Sequence, residues 1–232
     1  MALDAALYEC VDTPVFRLYT WEPSVTIGRF QDAGILTENT FPFSRRMTGG
    51  GVLLHGYDVS YSLIVPTSLL PKMSVKESYE YLCEFLCHFY KSLDLDVGYA
   101  KELMPEALSK SPFCQVGFEP YDMIINGQKV GGNAQKRGRD ALLQHGSIPL
   151  FKDERDFSGA SLEEIGVRLD ACTCKEKLCA SFARTYGIIL RPSELSKQEQ
   201  TRMNVLYEDY YNDEHWQRYA KKAPVASQEN LL

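Results

Sequence analysis

The chain has 232 residues, 44% of them hydrophobic and 24% charged, with a formal net charge of -6. That length buries a sizeable core, the acidic balance works against non-specific nucleic-acid binding, and no apolar run reaches the roughly 18 residues of a membrane span. The N-terminus lacks the basic region of a signal peptide, and seven cysteines, an odd count, fit a reducing cytoplasm better than a disulfide framework. Leu3, Ala6, Leu7 and Cys10 fall at helical spacing, so residues 1–10 are expected as a helix that stops before Pro14. A helix beginning at the first residue suggests that a preceding strand is missing. Residues 15–19 and 24–27 read as strands, with a turn over residues 28–31, GRFQ. Residues 52–54 and 59–65 are β-rich, and residues 75–93 form a long amphipathic helix with Tyr79, Leu82, Phe85, Leu86 and Phe89 on or near one face. Asn126-Gly127, between Met123–Ile125 and Val130, signals a hairpin with a two-residue turn. Residues 141–150 are another strand, residues 162–169 and 175–186 look helical, and residues 196–221 form a polar helix with Met203, Leu206, Tyr207 and Tyr210 as its apolar stripe. The tail after Lys221 is expected to be disordered. With no repeat and no linker, the expectation is one α/β domain: a body over residues 1–190 and a C-terminal helical extension over residues 191–232.

The chemistry concentrates in two stretches. Residues 45–51 read RRMTGGG, and His55 follows four positions later. Three glycines in a row expose backbone N–H groups that can form an anion-binding nest, and Arg45 and Arg46 add fork-shaped donors suited to phosphate or carboxylate. These residues alone leave two readings open, an anion cradle or a glycine-rich hairpin with solvated arginines. The stretch is neither a P-loop nor a dinucleotide fingerprint. The second stretch, residues 121–150, places Lys129 after the hairpin turn, just ahead of Gly131-Gly132, and then leads through Gln144-His145-Gly146 into a strand.

Together these motifs resemble the lipoate–protein ligase and octanoyltransferase family. Arg45-Arg46-x-Thr48-Gly49-Gly50-Gly51 with His55 looks like that family's signature. Gly127-Gln128-Lys129-Val130-Gly131-Gly132-Asn133-Ala134-Gln135 resembles its lysine motif, and Leu143-Gln144-His145-Gly146-Ser147 the strand that follows. GRFQ also has a counterpart, and the helix with Tyr211 and Trp216 resembles the end of the same domain. The resemblance implies a mixed β-sheet flanked by helices, as in biotin and lipoate protein ligase catalytic domains. It implies an enzyme that joins octanoate or lipoate in amide linkage to a lysine of a lipoyl domain, carried by a 2-oxoacid dehydrogenase E2 subunit or a glycine cleavage H protein. Lys129 is then the catalytic lysine. The glycines, with Thr48, His55, Gly131, Gly132, Asn133, Ala134, His145 and Gly146, would form the substrate pocket, with Arg45 and Arg46 facing the anionic partner of the acyl group. The acyl chain would run in a tunnel lined by residues such as Leu53 and Val59. His145 is placed to orient Lys129 or the acyl carboxyl, or to hold structure.

Two chemistries use such a pocket. A transferase of one subgroup holds the acyl group on a cysteine ahead of the lysine motif, and Cys114 in SKSPFCQVGFEPYDM looks placed for that. It would take its acyl group from a donor such as an acyl carrier protein and need no cofactor. A ligase would use free lipoate, ATP and Mg²⁺, with Arg29 meeting an adenylate phosphate. The absence of room for a ligase accessory domain favours the transferase, and Arg29 points the other way. A binding module that kept the pocket without catalysis is the third reading, against which Lys129 and the two arginines argue. Cys172, Cys174 and Cys179 lack a fourth partner at zinc-site spacing, so no metal is assigned. Lys136, Arg137 and Arg139 form either a solvated turn or a docking point for an acidic lipoyl domain.

Overall fold

The computed structural model describes residues 1–36, 41–109, 117–152 and 159–219. In chain order the elements are α1 (Ala2–Cys10), β1 (Val15–Tyr19), β2 (Ser24–Ile27), β3 (Phe43–Arg45), β4 (Leu53–His55), β5 (Asp58–Pro66), α2 (Val75–Lys91), β6 (Val97–Tyr99), α3 (Ala100–Leu103), β7 (Met123–Ile125), β8 (Gln128–Lys129), β9 (Gly132–Arg137), β10 (Ala141–Pro149), α4 (Ala171–Tyr186), α5 (Lys197–Leu206) and α6 (Glu214–Tyr219). The main sheet runs β1-β5-β10-β9, and each of its pairs is antiparallel. All nine residues of β5 are buried, as expected of a strand with neighbours on both edges and helices on both faces.

The two faces of β5 differ in chemistry. Val59, Tyr61, Leu63 and Val65 pack into the main core with Leu82, Phe85, Leu86 and Phe89 of α2 and Leu178 and Phe182 of α4. On the other face, Ile64 packs with Ala5, Ala6 and Leu7 of α1 and Leu206 of α5. Ser62 on that face donates to the buried Asp4 Oδ1 at 2.8 Å, and Arg17 closes an ion pair on the same oxygen. Helix α2 starts at a capping box: Ser74 Oγ accepts from Glu77 N and Ser74 N donates to Glu77 Oε2 at 2.6 Å. Helix α4 starts at Asp170, whose carboxylate accepts from Thr173 N at 2.9 Å.

Two smaller sheets complete the frame, β3-β2-β4 and β6-β7-β8. The expected hairpin is β7–β8, with Asn126 at φ 50° and Gly127 at φ 74°, both in the left-handed region that a type I′ turn demands. Residues 162–169 are turns rather than a helix. Leu162 N and Glu163 N donate to the carbonyls of Pro149 and Leu150 at the end of β10, and Gly166 turns the chain at φ 92°. The long C-terminal helix is broken into α5, a π-helical turn over Tyr207–Tyr211 and α6. The tail after residue 219 lies outside the described residues. Cys174 is buried, and among the described residues no cluster of His, Cys, Asp and Glu is arranged to hold a metal. No described helix is long and apolar enough to cross a membrane.

Candidate active site

A cavity of about 490 Å³ lies where the three sheets meet, and its walls carry Lys129, the glycine run and the start of β9. The hairpin turn delivers Lys129 to this wall: Ile124 pairs with Lys129 across β7–β8, so the side chain of residue 129 is set by the register of a two-residue turn. Lys129 is only 2% exposed, and its Nζ lies 2.6 Å from Asp122 Oδ2 and donates to Gly117 O at 2.9 Å. Burial raises the Asp122 carboxyl above its usual value, although the neighbouring Lys129 charge pulls the other way.

The glycine run is organised by Arg46. Its guanidinium donates to the carbonyls of Gly49 at 3.3 Å and Gly51 at 2.6 Å, and to Thr26 Oγ1 at 2.8 Å. With these carbonyls turned to Arg46, the N–H groups of Gly49, Gly50 and Gly51 make no hydrogen bond among the described residues. Gly50 sits at φ 93°, and a Cβ at Gly28 would fall 1.9 Å from Gly50 O, so the GRFQ turn and the glycine run are in backbone contact. His55 is fixed from both nitrogens, Nε2 to Thr26 Oγ1 at 2.9 Å and Nδ1 to Asp58 Oδ2 at 3.1 Å, and its ring stacks on Trp21. The ionised Asp58 carboxylate can only accept, so the His55 Nδ1–H donates to it. Burial alone would raise the Asp58 carboxyl, but hydrogen bonds from His55, Ser147 and Ser60 hold it below the usual value.

The remaining expected residues separate into wall and backing. Gly132, Asn133, Ala134, His145 and Gly146 line the cavity. A side chain at Gly146 would strike Asn133 Oδ1 at 2.3 Å and the Tyr61 ring, so only glycine fits there. His145 Nε2 is 2.6 Å from Thr48 Oγ1, which assigns it to the glycine-run side of the wall. Burial and then the Arg46 charge push its imidazole down to about 3, so it is neutral. Thr48 and Gly131 stand behind the wall rather than on it.

Three expectations are corrected. Arg45 does not line the cavity. It is 1% exposed and its guanidinium is spent on backbone carbonyls of Gln217 at 3.0 Å, Gln31 at 2.7 Å and Arg218 at 2.8 Å, tying α6 to the GRFQ turn. Arg29 is also off the wall, with its guanidinium over the Phe30 ring. Val59 faces the α2 side of the sheet, whereas Leu53 lines the cavity as expected. Cys114 lies outside the described residues, but Ser109 and Gly117, on either side of it in the sequence, are both on the wall. The sequence reading missed Asp122, whose signal was available: in the hairpin register it stands two positions before Ile124, the partner of Lys129.

The family model for the lipoyl protein ligase A/B catalytic domain matches residues 1–177, and the chain belongs to this family of enzymes. Curated relatives include the octanoyltransferase LipM of Exiguobacterium sp., 31% identical with 94% of this chain and 93% of the relative covered. The octanoyltransferase LipM of Staphylococcus aureus is also 31% identical, with 92% of each covered. Among solved structures, a lipoate-protein ligase A bound with ATP superposes with a TM-score of 0.78 at 21% identity, over 94% of this chain and 92% of that one. A putative lipoate protein ligase from T. acidophilum with bound lipoic acid gives 0.79 at 21% identity, over 94% and 91%. These two show the shared fold.

Proposed function

We propose that this enzyme transfers an octanoyl group from a thioester donor, such as an acyl carrier protein, to one lysine of a lipoyl-domain protein in the cytoplasm, holding the acyl group on Cys114 in between. The observation that carries the reading is the buried Lys129 ammonium on the cavity wall, facing the space walled on another side by the glycine run. An acyl carbonyl seated there meets a fixed positive charge where negative charge grows during attack, an effect worth about 3 kcal/mol or more in a dry site. Trp21, Leu53, Val75 and Tyr79 give the acyl chain an apolar bed.

Two features favour transfer over ATP-dependent ligation. The curated relatives above are octanoyltransferases, matched over nearly the whole chain. Arg29, the residue expected at an adenylate phosphate, is off the cavity wall, and the only wall carboxylates among the described residues that could serve Mg²⁺ are Glu119 and Asp122, the latter engaged with Lys129. None of the six described cysteines lines the cavity, and burial raises the thiols of Cys10, Cys83, Cys87, Cys174 and Cys179 away from thiolate. Support for Cys114 as the nucleophile comes from Gly117, three positions after it, which accepts from Lys129.

The test is the intact mass of the protein mixed with an octanoyl thioester donor and no ATP. A gain of about 126 Da, removed by hydroxylamine and absent in Cys114→Ser, is expected for one octanoyl thioester. Activity that requires free acid, ATP and Mg²⁺ and persists in Cys114→Ser would establish the ligase instead.

A further inference from the structure

Aminolysis of a thioester needs a base as well as an oxyanion partner. The nitrogen that attacks the carbonyl acquires positive charge and must lose a proton before the tetrahedral intermediate can collapse to amide. The histidines on the wall are poorly placed for this: both nitrogens of His55 are engaged, and His145 is held to Thr48. Asp122 is different. Its Oδ2 takes the Lys129 ammonium at 2.6 Å and the Glu119 N–H at 2.7 Å, while its Oδ1 accepts no hydrogen bond among the described residues. The residue is 3% exposed and lines the cavity beside Lys129.

We infer that Asp122 is the general base for the acceptor lysine, with Oδ1 receiving the proton while Oδ2 holds Lys129. This rests on the acyl-transfer reading above. The neutral ε-amine of the lipoyl-domain lysine attacks the thioester carbonyl, the C–N bond forms, and the C=O π pair moves to oxygen beside Lys129. Asp122 Oδ1 accepts one N–H proton from the new cationic nitrogen. The oxyanion pair then reforms C=O, the C–S bond breaks with its electrons on sulfur, and the thiolate takes the proton back from Asp122. Amide and thiol are the only products, so charge and protons balance. One carboxylate thus serves two cations in succession, a permanent one that it positions and a transient one that it discharges. The raised carboxyl value noted above makes it a better base than a solvated aspartate.

The inference is tested by separating the half-reactions in Asp122→Asn, which keeps an oxygen acceptor for Lys129 but cannot take a proton. Formation of the acyl-protein needs no amine, whereas single-turnover transfer to a lipoyl domain does. Transfer is expected to fall about 100-fold, in the range of general-base losses, and at least about tenfold more than acyl-protein formation. Hydroxylamine, a weakly basic nucleophile, should narrow the gap between variant and wild type to under about fivefold. Equal loss in both half-reactions would reduce Asp122 to a positioning residue for Lys129, and equal retention would remove it from the mechanism. Should Asp122→Asn not fold, Asp122→Glu is the second variant: a base with an extra methylene retains transfer to hydroxylamine and to lysine in the same proportion as wild type, and a selective loss with hydroxylamine overturns the inference. A wild-type protein that forms no acyl-protein overturns the acyl-transfer reading, and the base assignment with it.

Discussion

The glycine-run side of the cavity and the lysine side are both buried and polar, yet they are wired differently. On the first, Arg46, Thr26, His55 and Asp58 form a continuous chain in which each group answers the next, and Arg45 behind it binds carbonyls from two separate segments, the GRFQ turn and α6. On the second, an ion pair between Lys129 and Asp122 stands at the wall, and the carboxylate keeps an oxygen without a hydrogen bond among the described residues. A saturated network holds shape because any movement leaves a buried polar group unsatisfied. A carboxylate oxygen outside such a network keeps capacity for a reacting group. Charged residues in the signature thus divide between scaffold and chemistry, and their nature does not tell which is which. Adjacent arginines in the sequence end on different duties because one strand position points into the GRFQ turn and the next toward the glycine run.

The comparison predicts opposite failures on the two sides. The largest effect belongs to Lys129→Ala. Octanoylation of a lipoyl domain should fall about 100-fold or more, the scale of a lost oxyanion partner, while the melting temperature changes far less than the rate. A variant that transfers at the wild-type rate would move the chemistry away from this wall.

Arg45→Ala should do the reverse. It strands the carbonyls of Gln31, Gln217 and Arg218 and empties a fully buried site, which costs about 3 kcal/mol or more and lowers the melting temperature by roughly 6 °C or more. Activity per folded molecule should hold, read from KM and kcat below the unfolding transition. A selective rise in KM with unchanged stability would put Arg45 back at the ligand.

The smallest effect is a pH dependence. The His145 imidazole is pushed down to about 3, against about 6.5 in an unfolded chain. Between these values the unfolded chain binds more protons than the folded one, so stability falls as pH drops from about 6.5 towards 3, and above that window His145 contributes nothing to the slope. Asp58, held below its usual value, adds a further loss only below about pH 4. Urea midpoints measured from pH 7 to 4 should decline for wild type and flatten in His145→Gln. An unchanged slope in the variant would show that His145 is not buried in its neutral form.

Much of this protein was legible in one dimension because its strongest signals are local. The Asn126-Gly127 turn and the amphipathic stripe of α2 each depend on residues within a few positions of one another, and both appear where the pattern places them. Lys129, the glycine run and His145 reached the wall because the motifs that carry them are short and ordered along the chain. What the pattern missed is non-local. Strand β9, GNAQKR, has no apolar alternation and exists because β10 offers it a partner edge. The apolar spacing of residues 162–169 yields turns instead of a helix, with the chain anchored to the end of β10 at Leu162 and Glu163 and turned at Gly166, whose φ of 92° no helix accommodates. The motifs and their order carried the resemblance to the lipoyl ligase and transferase family, and with it the expectation of an α/β enzyme. Only the packed structure decided that Arg45 is a rivet, that Arg46 turns the glycine carbonyls away from the cavity, and that Asp122 meets Lys129, since a buried charge takes its role from the partners that tertiary contacts bring to it.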